Sequence, residues 1–497
     1  MTRRLAGAFD ALALHAALAD RAARQGGATP LLLRRTGGRA LVMVDSACRI
    51  EATGPDGTVR ASSENGEALL AYLVETLAGT VTSSSDTEAR FAFARCEDPD
   101  EAVRMADAGA LALLRAATSP ETHGDPFALT ALGIVGFDHV DMVEALPAAA
   151  KGDFPDLVVD IADTLVVIEA SGAARIVALH MGSDDDETAY RLRSLASERL
   201  ARLAGVLDQA RAPAIAPTPR VTARAGLDDA RFEAIVETLK DHVAAGDIFQ
   251  AVPSRRFSAP CADPLSAFRR LVAADPSAYH FYADTGFGVL LGASPENALE
   301  IDRRGGVTVL SVSPIAGTRP RGVTADADDR MEAELRLDAK EVSEHLMLVD
   351  LARNDVARVA KPGTRRVASL LSVERFAKVM HLVSRVEGEL DEGRDAIDAI
   401  RACLNVGTLS GAPKLKAIEL IRRVEDEPRG PYGGAIFSLT AEGELDSAVV
   451  IRAALVRDGE AEVRAGAGVV ADSDPAAEAA ETRAKASAIL AALGAAA

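Results

Sequence analysis

The sequence predicts an α+β protein with mainly antiparallel sheets. Three observations carry that prediction. Runs rich in β-branched residues are joined by tight turns, as at 164–180 around Ser171-Gly172 and again at 297–312. The stretch 434–470 reads as a three-strand meander turning at Glu442-Gly443 and Asp458-Gly459. Amphipathic helical patterns are interspersed among the strands rather than alternating strictly with them, which argues against a parallel α/β sheet.

Taken in order, the N-terminal stretch MTRRLAGAFDALALHAALAD superficially suggests a leader. Asp10 and His15 interrupt its apolar part, and it reads as a helix. Residues 41–52 (LVMVDSACRIEA) form a strand pattern, while 139–147 and 190–207 are helical. The stretch 210–226 contains Pro213, Pro217 and Pro219, disfavours helix and reads as an extended linker. It divides the chain into 1–209 and 227–497. Residues 227–246 form an amphipathic helix stopped by Gly246, followed by a strand at 248–257. In SPIAGTRPRG, 313–322, a strand runs into Pro314 and a stiff turn with Gly317-Thr318, Arg319 and Arg321. Residues 332–355 read as one long helix. Asp474, Pro475 and Gly494 have the residue types that start and stop a final helix.

Composition narrows the function classes. Apolar residues make up 48% and charged residues 26%, within the range of globular proteins. A net charge of −19 argues against a nucleic-acid or anionic-membrane surface, but not against a local cationic pocket. Cys48, Cys96, Cys261 and Cys403 lie far apart, with no CxxC pair, which predicts neither a zinc site nor a disulfide framework and fits the cytoplasm. No apolar run approaches the roughly 18 residues of a membrane span.

Several groups have chemical potential. Glu478, Glu481 and Lys485 fall within about a 60° arc of the final helix, and Glu341 and Glu344 share a face of the earlier one. Glutamates at this spacing are usually solvated surface. From two helices they could also hold magnesium, which takes one or two carboxylates and uses the substrate's own oxygens. The small residues of RAGAGVV, 464–470, allow close backbone approach to an anion or merely end a strand tightly. GTLSGAPK, 407–414, offers Thr408, Ser410 and Lys414 without Walker A spacing. His381 is a possible acid or base, or a core histidine. Arg452, mid-strand among apolar residues, needs an anionic partner. The residues alone point to a glycine-lined, cationic pocket for a small polycarboxylate.

Taken together and in order, DIFQAVPSRRF, GASPEN, SPIAGTRPRG, SEHLMLVDLARND, VMHLVSRV, GTLSGAPK, YGGAIFSL, AGAGVVADS and EAAETRAKA resemble the chorismate-binding domain of anthranilate synthase component I. The match is dense over 227–490 and looser upstream. The resemblance implies antiparallel sheets packed in a sandwich with flanking helices, a catalytic domain at 227–497 and a regulatory-site remnant within 1–209. It implies magnesium-dependent amination of chorismate at C2 with loss of the 4-hydroxyl. Pyruvate elimination from 2-amino-2-deoxyisochorismate then gives anthranilate. Two alternatives are release of the amino intermediate, as in antibiotic-type pathways, and a non-catalytic binding subunit.

Carried onto this chain, the resemblance makes Glu344 and Glu481 metal ligands, supported by Glu341 and Glu478. Gly317, Thr318 and the backbone of Gly466, Ala467 and Gly468 would hold chorismate, with Lys485 close to its ring carboxylate. Tyr432 and Arg452 would grip the enolpyruvyl carboxylate. Glu296 is the candidate acid or base for the 4-hydroxyl, and His381 and Thr408 serve the elimination. Ala316 stands where C4-aminating relatives have a nucleophilic lysine. Gln250 stands where isochorismate- and salicylate-forming relatives have a lysine that activates water, so ammonia is the expected nucleophile. No glutaminase half is apparent. Ammonia is expected from a separate glutamine amidotransferase subunit, in a homo- or hetero-oligomer. The family's tryptophan-feedback site is degenerate here: LLLRR places Arg34 and Arg35 where the family has LLLES, and Ala278 and His280 replace a Pro-x-Met element.

Overall fold

The computed structural model describes all residues except 97, 151, 184, 208–213, 377–378 and 496–497. Every pairing between named strands is antiparallel, and they form two faces. One runs through Ser254–Pro260, Glu460–Gly466, Ala453–Arg457, Val289–Ser294, Tyr279–Asp284 and Leu31–Arg35. The other runs through Thr130–Val135, Ala435–Thr440, Leu445–Val449, Asn297–Arg304, Val307–Val312 and Val379–Glu389. The long strands Ala40–Thr53 and Leu157–Ile168 connect the two.

Alternation along each strand builds the layers. Leu33, Phe281 and Leu290 of the first sheet pack against Leu132, Ile436 and Ala448 of the second. Their neighbours Tyr282, Leu291 and Val456 turn the other way, onto Phe268, Ile489 and Leu493 of flanking helices. Phe437, Leu439 and Val386 meet Val349, Val356 and Ile400 outside the second sheet. Strands buried on both faces read as nearly continuous apolar runs, which is why the sequence shows them clearly. The result is the sandwich with flanking helices that the family resemblance implies. Among the described residues no helix is long and apolar enough to cross a membrane.

Strands from before residue 210 complete both sheets, so the stretches 1–209 and 227–497 share one hydrogen-bonded framework. Pro213 and its neighbours at 210–212 lie outside the described residues. Beyond them Pro217 and Pro219 are exposed, and Val221 N–H donates to Gly494 O at 3.0 Å.

Four local expectations need correction. The helix expected over 332–355 is two, Ala325–Leu337 and Ala339–Ala357. Asp338 breaks them: its backbone is extended and its carboxylate caps the second by accepting from the Lys340 and Glu341 N–H groups. The meander has four strands, because the chain turns at Arg452, whose φ is 49°. Arg452 is therefore at a corner rather than mid-strand. The strand at 248–257 is interrupted at Val252-Pro253. The stiff turn at 313–322 is largely a strand, Ile315–Pro320, with a bulge between Ala316 and Thr318.

Candidate active site

Two segments cross between the sheets side by side, in opposite directions. Val289–Ser294 continues into Asn297–Arg304 through Pro295-Glu296, and Leu445–Val449 continues into Ala453–Arg457 through Val450–Arg452. Strand corners free side chains from the sheet pattern. Glu296 and Arg452 both turn into a cavity of about 660 Å³ at this crossover. The final helix, Pro475–Leu493, and the helix Ala339–Ala357 wall the same cavity, with the bulged strand Ile315–Pro320 between them.

The cavity collects nearly every candidate residue: Gln250, Glu296, Gly317, Thr318, Glu341, Glu344, His381, Thr408, Tyr432, Arg452, Gly466, Gly468, Glu478, Glu481 and Lys485. Ala467 is the exception. It is fully buried and its N–H donates to Pro253 O at 3.2 Å, so its backbone is committed elsewhere. Arg35 and His280, on neighbouring strands, and Ala278, just before the second of these, lie outside the lining, although Asp275, Pro276 and Ser277 reach it.

The four helix-borne glutamates face one space, and each meets a different environment. Glu341 Oε1 accepts from Arg319 Nη1 at 3.3 Å, Glu344 Oε1 accepts from Gln250 Nε2 at 2.8 Å, and Glu481 Oε1 pairs with Lys485 Nζ at 2.7 Å. Burial raises the carboxyl pKa of Glu344, and negative Glu341 and Glu481 add to it; burial and then Glu481 do the same to Glu478. Glu478 Oε2 is buried with no hydrogen-bond partner. With the carboxylates turned to these partners, no group of three or more is arranged to hold a metal among the described residues. An all-oxygen set from two helices, with one orphaned buried oxygen and mutual repulsion, nevertheless has the donor chemistry of a hard divalent cation.

The opposite wall is built for acid–base work. Thr408 Oγ1 donates to Glu296 Oε1 at 2.8 Å. Burial raises the Glu296 carboxyl to about 7 against that hydrogen bond and the charge of Lys485. His381 Nδ1 lies 3.1 Å from both Gly317 O and Thr318 Oγ1, and burial holds its pKa down, so the ring is neutral at pH 7. Gly317 itself requires glycine. Its φ is 68°, and a Cβ there would stand 3.3 Å from Glu341 Oε2.

Cationic groups are uneven. Arg319 is spent on Asp338 and Glu341, and Arg321 on Asp328. Arg452 is half-buried and its guanidinium has no hydrogen bond or ion pair among the described residues, which leaves it open to an anion. Gln250 Oε1 is buried and likewise unpartnered, an acceptor waiting for an N–H. Sequence reasoning missed Arg464, which also lines the cavity. Its alternation with Glu460 and Glu462 reads as a solvated strand face; only its distant partner Glu425, at 3.2 Å, reveals a buried charge. A larger cleft of about 1290 Å³ lies beside Ala11–Gln25 and Asp186–Leu207. Its arginines at 49, 60 and 199 are already paired with Asp160, Glu51 and Asp163, while Arg21 donates to neutral Gln25 and Arg202 is exposed to solvent.

Fold and cavity thus define a class: a two-sheet protein whose cavity at the sheet crossover sets an unpaired guanidinium opposite clustered carboxylates. Comparison with known proteins makes the class specific. Residues 70–491 match the chorismate binding enzyme family. The pyocyanine-specific anthranilate synthase component 1 of Pseudomonas aeruginosa is 46% identical over 471 residues, covering 92% of this chain and 87% of the relative. Anthranilate synthase component 1 of Escherichia coli is 43% identical over 469 residues, covering 92% and 89%. The crystal structure of anthranilate synthase component I from Streptococcus pneumoniae superposes with a TM-score of 0.70 at 27% identity, covering 92% of each chain. The chain belongs to the chorismate binding enzyme family, among its anthranilate synthase component I members.

Proposed function

We propose that this chain aminates chorismate at C2 with ammonia and then eliminates pyruvate to give anthranilate. The observation that carries the reading is the convergence, in one cavity, of the unpaired Arg452, the near-neutral acid Glu296 and the two glutamate-bearing helices. Arg452 and Tyr432 would hold the enolpyruvyl carboxylate, with Lys485 and the Gly466 and Gly468 backbone near the ring carboxylate. Glu344 and Glu481, flanked by Glu341 and Glu478, would hold magnesium, which when bound supplies neutralisation of the ring carboxylate and Lewis-acid help to the leaving group.

In the first half, ammonia forms the C2–N bond, both ring double bonds shift by one position towards C4, the C4–O bond breaks, and the new ammonium loses a proton. Glu296, with a pKa of about 7, is protonated often enough at neutral pH to give the departing hydroxyl its proton, and water leaves. The Gln250 amide cannot take a proton from water as a lysine amine can, and its free Oε1 suits an N–H donor. In the second half, neutral His381 removes the C2 proton, the C2–H electrons form the C2–C3 double bond as the C3–O bond breaks, and enolpyruvate departs and takes up a proton to become pyruvate. Thr408, hydrogen-bonded to Glu296, holds that carboxyl in place. Ammonia from glutamine would come from a separate amidotransferase subunit.

The test incubates the chain with chorismate, Mg²⁺ and ammonium above pH 8, with fluorescence and mass spectrometry as readouts. Anthranilate supports the reading in full. An accumulating 2-amino-2-deoxyisochorismate supports amination without elimination, and no turnover points to a binding subunit.

A further inference from the structure

Lys414, singled out in GTLSGAPK, stays outside the catalytic cavity. Its ammonium donates to Asp355 Oδ2 at 2.8 Å and to Leu404 O at 3.3 Å, and 11% of its side chain is exposed. Asp355 is buried, on the same helix as Glu344. A buried ion pair adds little net stability, and this one is incompletely satisfied: among the described residues Asp355 Oδ1 accepts no hydrogen bond. Glu296 repeats the pattern. It is buried, its Oε1 accepts from Thr408, and its Oε2 accepts nothing among the described residues. Both carboxyl groups line one small side pocket of about 20 Å³, which shares Glu296, Thr408 and Leu348 with the catalytic cavity. Asn297 lines it too. Its Nδ2 is committed to Tyr279 OH and Ser447 O, while its Oδ1 is buried without a partner.

We propose that this pocket holds one water, and that Asp355 and Lys414 return protons through it to Glu296. The inference rests on the amination reading, in which Glu296 gives up one proton per turnover, and names where that proton is replaced. A volume of about 20 Å³ admits a single water, which needs two to four polar partners. The three unpaired oxygens supply them: the water accepts from protonated Glu296 and donates to Asp355 and Asn297. Substrate filling the main cavity separates Glu296 from solvent on that side. Glu296 protonates the departing hydroxyl, which leaves as water, and becomes a carboxylate. Lys414 then passes a proton to Asp355, whose carboxyl turns over and passes it to the pocket water, as that water passes one of its own to Glu296. Lys414 regains a proton from solvent. Each transfer breaks one bond to hydrogen and forms one, so every group returns to its starting state. The surrounding charges fit. Burial raises the Asp355 carboxyl against Lys414 and Arg358, and Lys485 acts on Glu296. Burial pushes the neighbouring Cys403 thiol up to about 12, so it stays out of the relay.

The test compares the first turnover with those that follow, by rapid quench of the chain with chorismate, Mg²⁺ and saturating ammonium at one fixed pH. Lys414→Arg keeps the ion pair but does not release its proton. Ala352→Val fills the pocket from the helix side and leaves both carboxyl groups in place. In both variants the relay predicts a first equivalent of amine product within about twofold of the parent's rate, then a steady rate at least about tenfold slower, with the chorismate KM within about twofold. A merely structural ion pair would be rescued by arginine. An unchanged steady rate in either folded variant overturns the proposal. So does a first turnover slowed as much as the later ones, which would mean that Glu296 is displaced rather than short of protons. Should neither variant fold, an atomic-resolution crystal structure of the parent decides. One ordered water within hydrogen-bonding distance of Glu296, Asp355 and Asn297 supports the relay, and a pocket without it overturns it. Failure of the underlying reading looks different: the parent would then form no amine product in any turnover.

Discussion

Glu296 shows how one buried carboxyl is tuned for its task. Burial raises it from 4.5 to about 7, so from pH 4.5 to 7 the folded chain keeps a proton that the unfolded chain has lost. The stability supplied by the neutral form is fully present below pH 4.5 and is lost as pH rises through 7, a penalty of about 3 kcal/mol. Glu296→Gln keeps an acceptor for Thr408 and removes the ionisation. We expect it to be more stable than the parent at pH 8 in denaturant titrations and to lose at least about a hundredfold in kcat. At constant free ammonia the parent's kcat should decline above pH 7, and the variant should lose that limb. Arg35 argues the second prediction at this scale. Its guanidinium donates to Glu300 at 2.7 Å and lies 3.8 Å from Asp446, which also accepts from Tyr279 OH. Arg34 is 3.1 Å from His280 Nδ1. The carboxylates that would attract an amino acid's ammonium already hold a cation of the chain. Activity titrated with millimolar tryptophan should be unchanged; strong inhibition would end this idea.

Among elements, the final helix carries three of the proposed site residues, and its placement depends on a residue outside the cavity. Arg255 is fully buried on the strand Ser254–Pro260 and donates to Thr482 Oγ1 and Ala479 O, both at 2.9 Å, while pairing with Asp229. Arg255→Ala removes the pins beside Glu478 and Glu481. It should cost about 3 kcal/mol in unfolding free energy and raise the magnesium concentration needed for half-maximal rate. A merely structural loss would lower stability and leave that requirement unchanged. Elements of this kind were partly legible. Asp474, Pro475 and Gly494 announce the helix ends, because capping is local chemistry that residue type reveals. The break at Asp338 was not legible, since the apolar spacing continues in phase through it and an aspartate inside a helix looks like one that begins another. Arg452 was misplaced for a related reason: VVIRAAL has continuous strand composition, and a left-handed corner at a non-glycine residue leaves no mark in sequence.

At the scale of the whole molecule, the site exists because strands change sheets. Convergence of Glu296 with Arg452 depends on pairings such as Asn297 with Ala448 and Gly292 with Ala453, across about a third of the chain. Hydrophobic pattern shows that strands exist but not which ones pair, so the cavity could be anticipated only through the family resemblance. The partners that the glutamates hold, Arg319 and Gln250 above all, are likewise long-range facts. What the architecture contributes is rigidity: two packed sheets fix the acid and the guanidinium, and two helices bring carboxylates to face them. The central claim is that those carboxylates jointly hold a divalent cation that anchors chorismate. Titration calorimetry of chorismate with and without Mg²⁺, on the parent chain and on Glu344→Gln and Glu481→Gln, tests it directly. The account predicts tight binding only with Mg²⁺ and its loss in both variants. Equal chorismate affinity in the absence of Mg²⁺, or in either variant, would contradict it.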